Sequence, residues 1–489
     1  MADSNQRKNK MKKHAENKWI ILTLLAMAQF MVVLDVTVVN VALPSIARQL
    51  HFSANNLQWV ITAYTLTFGG FLLLGGRAAD LYGRRKIFIG AVTAFATMSL
   101  LTGLAQTETW IIISRALQGL AGAIMSPAAL SIVISEFKEG KERNAALGVW
   151  SAVAAGGSAV GVLLGGVLTQ YLTWRWNFFI NVPVGILVVL LAFQLLPKHI
   201  GEENKKIKLD LPGAAMATAG LMTLVFGLSK APNDGWTSPT VISFLAIGIV
   251  LLIIFVINEL KTPQPLMSMS IFRIRNVAGG NLTFLAIACT LFAMFFFLTL
   301  YVQTVLGYGP AKSGLAFLPA TFVIGFAAAI VSRLVSKIGY KPFIVAGPLV
   351  MSFGLYIMAH TMKIDGRYWQ NVFPGLAIVA LGMGLSFVSG TLAATSGIPK
   401  HFSGLASGVL NTSQQVGGAI GLGILSAVFA SRFKTHIKAG TYHTLAQVQG
   451  YQAALHVGVG LALAAAVIAF LLIKNQKISH EAMVPQAAA

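Results

Sequence analysis

Two charged residues lie inside apolar runs of this chain and are the strongest candidates for chemistry. Asp35 lies in the run from Trp19 to Val41, and Arg115 lies several residues inside a later run, 110–135. A carboxylate in hydrocarbon is costly, so one that is retained usually faces a cavity, has a partner or moves protons. An arginine keeps its proton and therefore needs an anion or water nearby. The two residue types together predict an electrostatic pair inside a membrane.

Helix geometry places these two residues at similar depths. If each run is a membrane-spanning helix, Asp35 is ~24 Å from the end of its helix on the side of the N-terminus, at ~1.5 Å per residue. On the same scale, Arg115 is ~8 Å from the other end of its own helix. Both residues then fall in the half of the membrane away from the N-terminus. A purely structural ion pair is the alternative to a pair that exchanges protons.

The composition indicates which elements must position this pair. Of 489 residues, 56% are hydrophobic and only 10% are charged, with a mean hydropathy of +0.74. A helix needs roughly 20 apolar residues to cross ~30 Å of hydrocarbon. Fourteen runs approach or exceed this length: 19–41, 57–78, 87–104, 110–135, 144–168, 177–196, 211–229, 239–259, 277–303, 313–331, 342–360, 371–396, 403–429 and 453–473. We therefore predict an all-α membrane protein with fourteen transmembrane helices.

Basic residues are distributed asymmetrically between the connecting loops. With the N-terminus in the cytoplasm, loops on that side hold Lys and Arg in a ratio of roughly three to one over the other side, which predicts that both termini are inside. Topology and attraction to anionic lipid then account for the net charge of +21 without nucleic acid. The first run is too long for a signal peptide, so we expect it to be retained as a span. The single cysteine, Cys289, excludes a disulfide within the chain.

The chain contains a repeated pattern that divides it into two halves. Glycines spaced by nine and then four residues occur twice, as Gly148, Gly157 and Gly161 and as Gly408, Gly417 and Gly421. The loop 79–85 recurs as 335–341 at a similar offset. Six spans on each side of a two-span insert fit this duplication. Such repeats in helical membrane proteins point to two bundles that rock around a site near the membrane midplane.

Several segments carry motifs in addition to this repeat. Segment 34–44 surrounds Asp35, segment 114–123 surrounds Arg115, and segment 76–86 joins the second and third runs with glycine, aspartate and a basic pair. The fifth run has glycines four residues apart that share one helix face: Gly157, Gly161 and Gly165. In these segments, and in 174–183 and 301–319, the chain resembles the fourteen-span drug:proton antiporters of the major facilitator superfamily.

The resemblance implies a role for each motif. Asp35 would carry the proton and Arg115 would be its electrostatic partner. The loop between the second and third spans would latch the two halves on the cytoplasmic side through Gly76, Asp80, Gly83, Arg84 and Arg85. The fifth span would be the antiporter helix, with Gly148, Gly157, Gly161 and Gly165. Val162 stands where that signature usually has proline, and generic helix packing is the alternative for the glycines.

The repeat and the resemblance give the domain boundaries. We predict a basic cytoplasmic tail at 1–18, an N-terminal six-helix bundle at 19–196, a two-helix insert with flanking loops at 197–276, a C-terminal six-helix bundle at 277–473 and a cytoplasmic tail at 474–489. The fold would be the major facilitator fold with two extra helices between its bundles.

Ten residues are candidates for a substrate cavity between the bundles. Aromatic faces bind planar apolar drugs and attract cations, and neutral amides offer donors and acceptors; helix packing is the alternative for each aromatic residue. The candidates are Asn40, Trp59, Tyr64, Phe292, Phe296, Tyr301, Gln303, Asn411, Gln414 and Gln415. Since only Asp35 among the acids lies well inside a span, we expect monocationic, zwitterionic or neutral amphipathic substrates before dications. His360 and His456 are also intramembrane and either titrate or serve as helix contacts.

We expect a monomeric transporter, not an enzyme, that exports amphipathic drugs or toxic compounds from a bacterial cell through its cytoplasmic membrane. The resemblance implies that the proton gradient drives alternating access, and the sequence has no GxxxxGK[ST] loop for a nucleotide. Protons and membrane lipids would be partners, with no cofactor, no metal and no nucleic acid. Two rival functions are a translocase or exporter of a lipid or lipid-like metabolite on the same fold, and a non-transporting membrane sensor or scaffold.

Overall fold

The structure is a computed structural model that describes residues 2–52, 56–137, 141–196, 210–263, 265–266, 269–395 and 403–475. Its helices are α1 (Ala2–Gln49), α2 (Trp59–Tyr82), α3 (Arg84–Gly103), α4 (Glu108–Glu136), α5 (Lys141–Tyr171), α6 (Trp176–Leu195), α7 (Leu211–Asp234), α8 (Pro239–Lys261), α9 (Arg275–Val305), α10 (Pro310–Ile338), α11 (Lys341–Thr361), α12 (Tyr368–Thr395), α13 (Ser403–Lys438) and α14 (His443–Leu472). No strand occurs within these ranges. The predicted tails and the linker at 197–209 lie wholly or partly outside them.

The prediction of an all-α membrane protein is confirmed. Thirteen helices in the described ranges are long and apolar enough to cross a membrane, and α5, with 31 residues, is the fourteenth helix. The even number places the start of α1 and the end of α14 on the same side of the membrane, which we call the terminal side; the other is the opposite side.

Local sequence explains several helix ends. The hydroxyl of Thr107 accepts a hydrogen bond from the backbone N of Trp110 at 3.2 Å and caps α4. The carboxylate of Asp210 caps α7 in the same way, through the backbone N of Gly213 at 2.9 Å. Gly83 and Gly339 end α2 and α10 with φ angles of +90° and +88°, a conformation that favours glycine. The two copies of the repeated loop therefore turn in the same way.

Twelve helices form two bundles with matching neighbours. In the first bundle α1 packs on α5, and α4 packs on α2 and α3; in the second α9 packs on α13, and α12 packs on α10 and α11. The bundles meet along two seams, one between α2 and α13 and the other between α5 and α10. The matching seams fit the internal repeat.

The two insert helices lie against only one of these seams. α7 packs against both α2 and α13: Thr218 lies against Gly70, and Val225 lies against Gly423. α8 packs on α7, and the Nδ2 atom of Asn258 donates to the Asp210 carboxylate at 2.9 Å to join them. The insert therefore covers the α2–α13 seam.

The α5–α10 seam is closed at the opposite side and open toward the terminal side. Gly166 lies against Pro310, and Gly314 lies against Val162, so closely that a Cβ on either glycine would overlap the partner backbone. Three glycines farther toward the terminal side have open Cβ positions: Gly148, Gly156 and Gly325. Apart from the glycine's own stretch of helix, no described residue has an atom within 4 Å of these positions.

The hydrophobic cores follow the same division. One core unites both bundles near the opposite side, from Leu34 on α1 to Tyr301 on α9. Toward the terminal side, the first bundle has its own core around Phe88, and the second has a separate one around Tyr340. The shared core therefore lies near the opposite side, whereas toward the terminal side the bundles stay in contact along the α2–α13 seam, where Leu73 meets Gly408.

Candidate functional site

Asp35 is the centre of a buried polar cluster in the first bundle. Its side chain is fully buried, and its Oδ2 atom forms a salt bridge with Nη1 of Arg115 on α4. Its other oxygen, Oδ1, accepts hydrogen bonds from Nε2 of Gln118 at 2.8 Å and from Nδ2 of Asn181 at 3.3 Å. Donors from α4 and α6 therefore surround the carboxylate, the condition under which a buried charge is tolerated.

The guanidinium of Arg115 is also buried and has partners on several sides. Its Nε donates to the backbone O of Val60 at 3.1 Å, and its Nη1 donates to Oε1 of Gln118 at 2.9 Å. The ring of Tyr64 lies 4.2 Å from the guanidinium carbon, and the ring of Phe178 lies 5.7 Å from it. These hydrogen bonds and cation–π contacts replace the hydration that Arg115 loses on burial.

A second layer of hydrogen bonds supports the ion pair from behind. Asn181 also donates to the hydroxyl of Ser99 at 3.0 Å, and that hydroxyl donates to the backbone O of Phe178 at 2.9 Å. The hydroxyl of Thr102 donates to the backbone O of Met98 at 2.7 Å and lies 3.4 Å from Oε1 of Gln118. Residues of α3, α4 and α6 thus fix the orientation of the groups that contact Asp35.

The glycine face of α5 packs directly on the helix that carries Asp35. A Cβ at Gly157 would lie 3.2 Å from Val33, one at Gly161 would overlap Thr37, and one at Gly165 would lie 2.8 Å from Cα of Val38. The close approach of the two backbones requires glycine at these positions. Gly148 lies at the open part of the α5–α10 seam and has no such contact within the described ranges.

Val162, the departure from the family signature, lies on a different face of α5. Its carbonyl oxygen would be 2.6 Å from a Cβ on Gly314 of α10. The position therefore lies at the α5–α10 seam, away from the Asp35 cluster. The usual proline of the signature would stand at a contact between bundles.

Sequence reasoning did not identify Gln118 and Asn181 as members of this site. Gln118 lies three residues after Arg115 and so shares its helix face, a signal that was available. Asn181 is an amide in an otherwise apolar run, but only the packing of α6 beside α1 and α3 shows which group it meets.

The structure ties the predicted gate loop to the first bundle. Arg85 donates from Nη2 to the backbone O of Phe193 on α6 at 2.7 Å, and Arg84 lies 3.5 Å from the backbone O of Ser131 on α4. Gly83 makes the turn described above, and Gly76 faces Pro127 of α4. The side chain of Asp80 lies outside the described part of the structure. The latch function of these residues stays a prediction.

Four of the ten predicted cavity residues are buried by packing in this conformation. Trp59 lies against Phe226 of the insert, with 6.1 Å between ring centroids. Tyr64 covers Arg115, Phe296 packs in the core shared by the bundles, and the Tyr301 hydroxyl donates to a backbone carbonyl beyond α11. These four side chains are therefore packed against protein in this conformation, and substrate contact by them stays a prediction.

The other six candidates are half-buried or exposed: Asn40, Phe292, Gln303, Asn411, Gln414 and Gln415. Gln303 joins the bundles, because its Nε2 atom donates to the backbone O of Val41 at 2.8 Å. Gln415 lies against Gly69 across the α2–α13 seam. Substrate contact by these six residues stays a prediction.

Comparison with known proteins decides the family. The profile of the Major Facilitator Superfamily matches residues 25–422. The chain belongs to the major facilitator superfamily. Among solved structures, this facilitator protein is similar to a bacterial homologue of the human lysosomal transporter Spinster in an inward-facing, unoccupied conformation, with a TM-score of 0.66, 16% identity and coverage of 93% of this chain and 97% of that one. An auto-inhibited peptide transporter of the POT family gives 0.65 at 15% identity, with coverage of 94% and 96%.

Several curated relatives of this facilitator are named as antibiotic resistance or export proteins. The chain is 38% identical to puromycin resistance protein pur8 of Streptomyces alboniger, over 94% of this chain and 92% of that protein. It is 38% identical to cephamycin export protein CmcT of Amycolatopsis lactamdurans, over 84% and 85%. It is 32% identical to multidrug resistance protein Stp of Mycobacterium tuberculosis, over 85% and 77%. The family consists of transporters and not enzymes, and the resemblance found in the sequence is confirmed.

Proposed function

We propose that this facilitator exports amphipathic drugs in exchange for protons, by alternating access across a bacterial cytoplasmic membrane. The terminal side would be cytoplasmic, in agreement with the excess of Lys and Arg in its loops. The conformation described above, in which the α5–α10 seam is closed at the opposite side and open toward the terminal side, would then be the one that loads cargo from the cell. Resistance and export by its relatives support a drug as cargo.

The buried Asp35–Arg115 pair is the observation that carries this proposal. A proton that binds Asp35 removes the negative charge of the pair but leaves the guanidinium, whose remaining hydrogen-bond acceptors are Val60 and Gln118. In a site of low effective dielectric, this change alters the local electrostatic energy far more than it would in water. The free energy of the conformation therefore depends on whether Asp35 holds a proton.

The glycine face of α5 gives a route from this charge change to the movement of the bundles. Its one face contacts α1 on both sides of Asp35, and its other face contacts α10 at the opposite side. A shift of α1 on protonation would move α5 and so loosen the contacts of Val162 and Gly166 with α10. Proton entry and opening of the opposite side would thereby be linked.

The test follows proton release from acidified everted vesicles when puromycin is added. The wild type should release protons as the drug enters the vesicle, and Asp35→Asn should not, because an amide at this position cannot bind and release a proton. The control is Asp365→Asn, which changes an exposed carboxylate in the loop between α11 and α12 and should behave as the wild type. Undiminished release by Asp35→Asn would remove Asp35 from the coupling role.

A lipid translocase is the second candidate, and the open part of the α5–α10 seam favours it. Phe322 and Phe326 of α10 are 77% and 67% exposed beside Gly325, so an acyl chain could lie in the seam while a headgroup crosses between the bundles. Proteoliposomes with a fluorescent phospholipid in one leaflet separate the two functions. Proton-driven movement of that lipid with no drug-dependent proton release would favour the translocase.

A further inference from the structure

A pocket near the opposite side of the second bundle lies outside every site discussed so far. It is a cavity of about 440 Å³ between α13 and α14, close to the loop that joins them. Eight residues line it: Val428, Arg432, His436, Gln449, Gln452, Ala453, His456 and Val457. The lining has one permanent cation, two imidazoles and two amides, but no carboxylate.

The pocket can be placed relative to the membrane through α11. The Nε2 atom of Gln452 donates to the backbone O of Met362 at 3.1 Å, directly after α11 ends at Thr361. The start of α14 at His443 is nine residues farther out, which corresponds to ~13 Å of helix. The α13–α14 hairpin therefore projects beyond the end of α11. Arg432 lies on the turn side of that level, so it would be close to the lipid headgroups.

Three aromatic rings cluster at this same level. The rings of His360 and His456 are 4.9 Å apart between centroids, and Tyr356 lies 4.1 Å from His360 and 6.5 Å from His456. In both histidines Nδ1 lies within 3 Å of a backbone carbonyl four residues earlier, so it must be the protonated donor. Each Nε2 atom is then directed away from its own helix. Of these three residues, tyrosine is of a type that is enriched at membrane interfaces.

An exposed apolar surface continues from the pocket toward the membrane interior. Val428, Ala453 and Val457 form the apolar part of the pocket itself. Large side chains of α11 and α14 with exposures between 43% and 59% continue it: Leu349, Phe353, Leu463 and Val467. Gly460 lies between Val457 and Leu463 in sequence. No atom of another described residue lies within 4 Å of its Cβ position, apart from its own helix surroundings.

We propose that this pocket binds the phosphate headgroup of an anionic phospholipid from the leaflet opposite the termini. Arg432 would hold the phosphate with its planar set of donors, and the acyl chains would lie along the exposed surface of α11 and α14. Arg432 forms no ion pair with any described residue, so its charge is available to a ligand. A cationic pocket with an apolar extension fits an amphipathic anion, such as an anionic lipid, better than it fits inorganic phosphate.

Native mass spectrometry of the delipidated protein, titrated with phosphatidylglycerol or phosphatidylcholine, tests this proposal. The wild type should bind phosphatidylglycerol in preference, and Arg432→Gln should weaken that binding about tenfold because it loses a charge-assisted contact. Lys438→Gln is the matched control, since it removes the same charge near the end of the same helix but outside the pocket. Ala453→Trp fills the pocket without altering charge and should also weaken binding.

Competition with inorganic phosphate separates the two sources of the anion. If the site recognises a membrane lipid through both of its ends, phosphate at millimolar concentration should leave phosphatidylglycerol bound. Displacement of the lipid by phosphate alone would overturn the assignment to a membrane lipid. Equal losses in Arg432→Gln and Lys438→Gln, or unchanged binding in Ala453→Trp, would also overturn it.

Discussion

In the first bundle α5 packs on α1 through Gly157 and Gly161; in the second, α13 packs on α9 through Gly417 and Gly421. The contacts correspond residue by residue. Gly157 and Gly161 face Val33 and Thr37, whereas Gly417 and Gly421 face Leu285 and Cys289, four residues apart in each case. By this register, the position of Asp35 in the first bundle is taken by Ile287 in the second, and both side chains are buried.

This difference separates the scaffold from its chemistry. The glycine contacts and the helix neighbours are common to both bundles. We attribute them to the close approach of two helices, which both bundles require. The ion pair and its amide partners occur in the first bundle alone among the described residues. We infer that the first bundle senses the proton, and that the second provides a matching partner that moves against it.

Arg115→Met should have the largest effect, because it leaves Asp35 buried without its cation. Breaking a buried pair costs about 3–5 kcal/mol, which should appear as a large fall in the Tm of the solubilised protein and as loss of proton release. Ile287→Val, at the corresponding place in the second bundle, should cost only about 1 kcal/mol. The double variant Asp35→Asn/Arg115→Met should regain stability without regaining transport. Equal Tm values for Arg115→Met and Ile287→Val would break the comparison.

Gly421→Ala and Gly161→Ala should separate stability from transport. A Cβ at Gly421 would overlap the backbone of Cys289, which cannot move aside, so we expect a loss of about 1–3 kcal/mol in stability. A Cβ at Gly161 would first meet the hydroxyl of Thr37, a side chain that can rotate. Gly161→Ala should therefore cost less stability but lower drug export, because it displaces the Thr37 side chain, two residues from Asp35 on the same helix.

Gly148→Ala provides the control for both of these variants. No described residue outside the surroundings of Gly148 itself lies within 4 Å of its Cβ position, so alanine should stabilise the helix by roughly 0.5–1 kcal/mol. Thermal unfolding and puromycin export would be measured on all three variants. A loss of export in Gly421→Ala as large as in Gly161→Ala, at equal protein level, would contradict the division of roles.

Gln118→Leu should weaken export about tenfold and stability by about 1–3 kcal/mol, since it removes hydrogen bonds to both members of the ion pair. Gln29→Leu is the control, because Gln29 accepts a hydrogen bond from Ser126 at 2.8 Å within the same bundle but apart from Asp35. Drug export at constant membrane content is the measurement. Similar export by the two variants would show that Gln118 is only structural.

Gln303→Leu should have the smallest effect and should act on the balance between conformations. It removes the hydrogen bond from Gln303 to Val41 that joins the bundles, worth about 1 kcal/mol. Spin labels at Glu142 and Ile338 lie near the terminal ends of α5 and α10. In the variant, a larger fraction of molecules should show a shorter distance between the two labels, which corresponds to a closed terminal side. Gln49→Leu, which loses a bond to Trp174 inside the first bundle, should leave the distances unchanged.

Much of this arrangement could be predicted from residue type and spacing. Charges in apolar runs identified Asp35 and Arg115, their depths agreed, and the spacing of Gly157, Gly161 and Gly165 identified a packing face. Asn181 could not be found in this way, because its proximity to Asp35 depends on how α6 packs among α1 and α3. The burial of aromatic residues such as Tyr301 could not be predicted either, because an aromatic side chain in a span suits a core as well as a cavity.

The position of α7 also could not be predicted, and it has a mechanical consequence. This helix rests on one helix of each bundle, with Thr218 on Gly70 and Val225 on Gly423. If the bundles tilt against each other as proposed, Gly70 and Gly423 would move in different directions, and α7 would slide over at least one of them. Glycine has no side chain that would block this sliding. The insert would therefore keep the α2–α13 seam covered throughout the transport cycle.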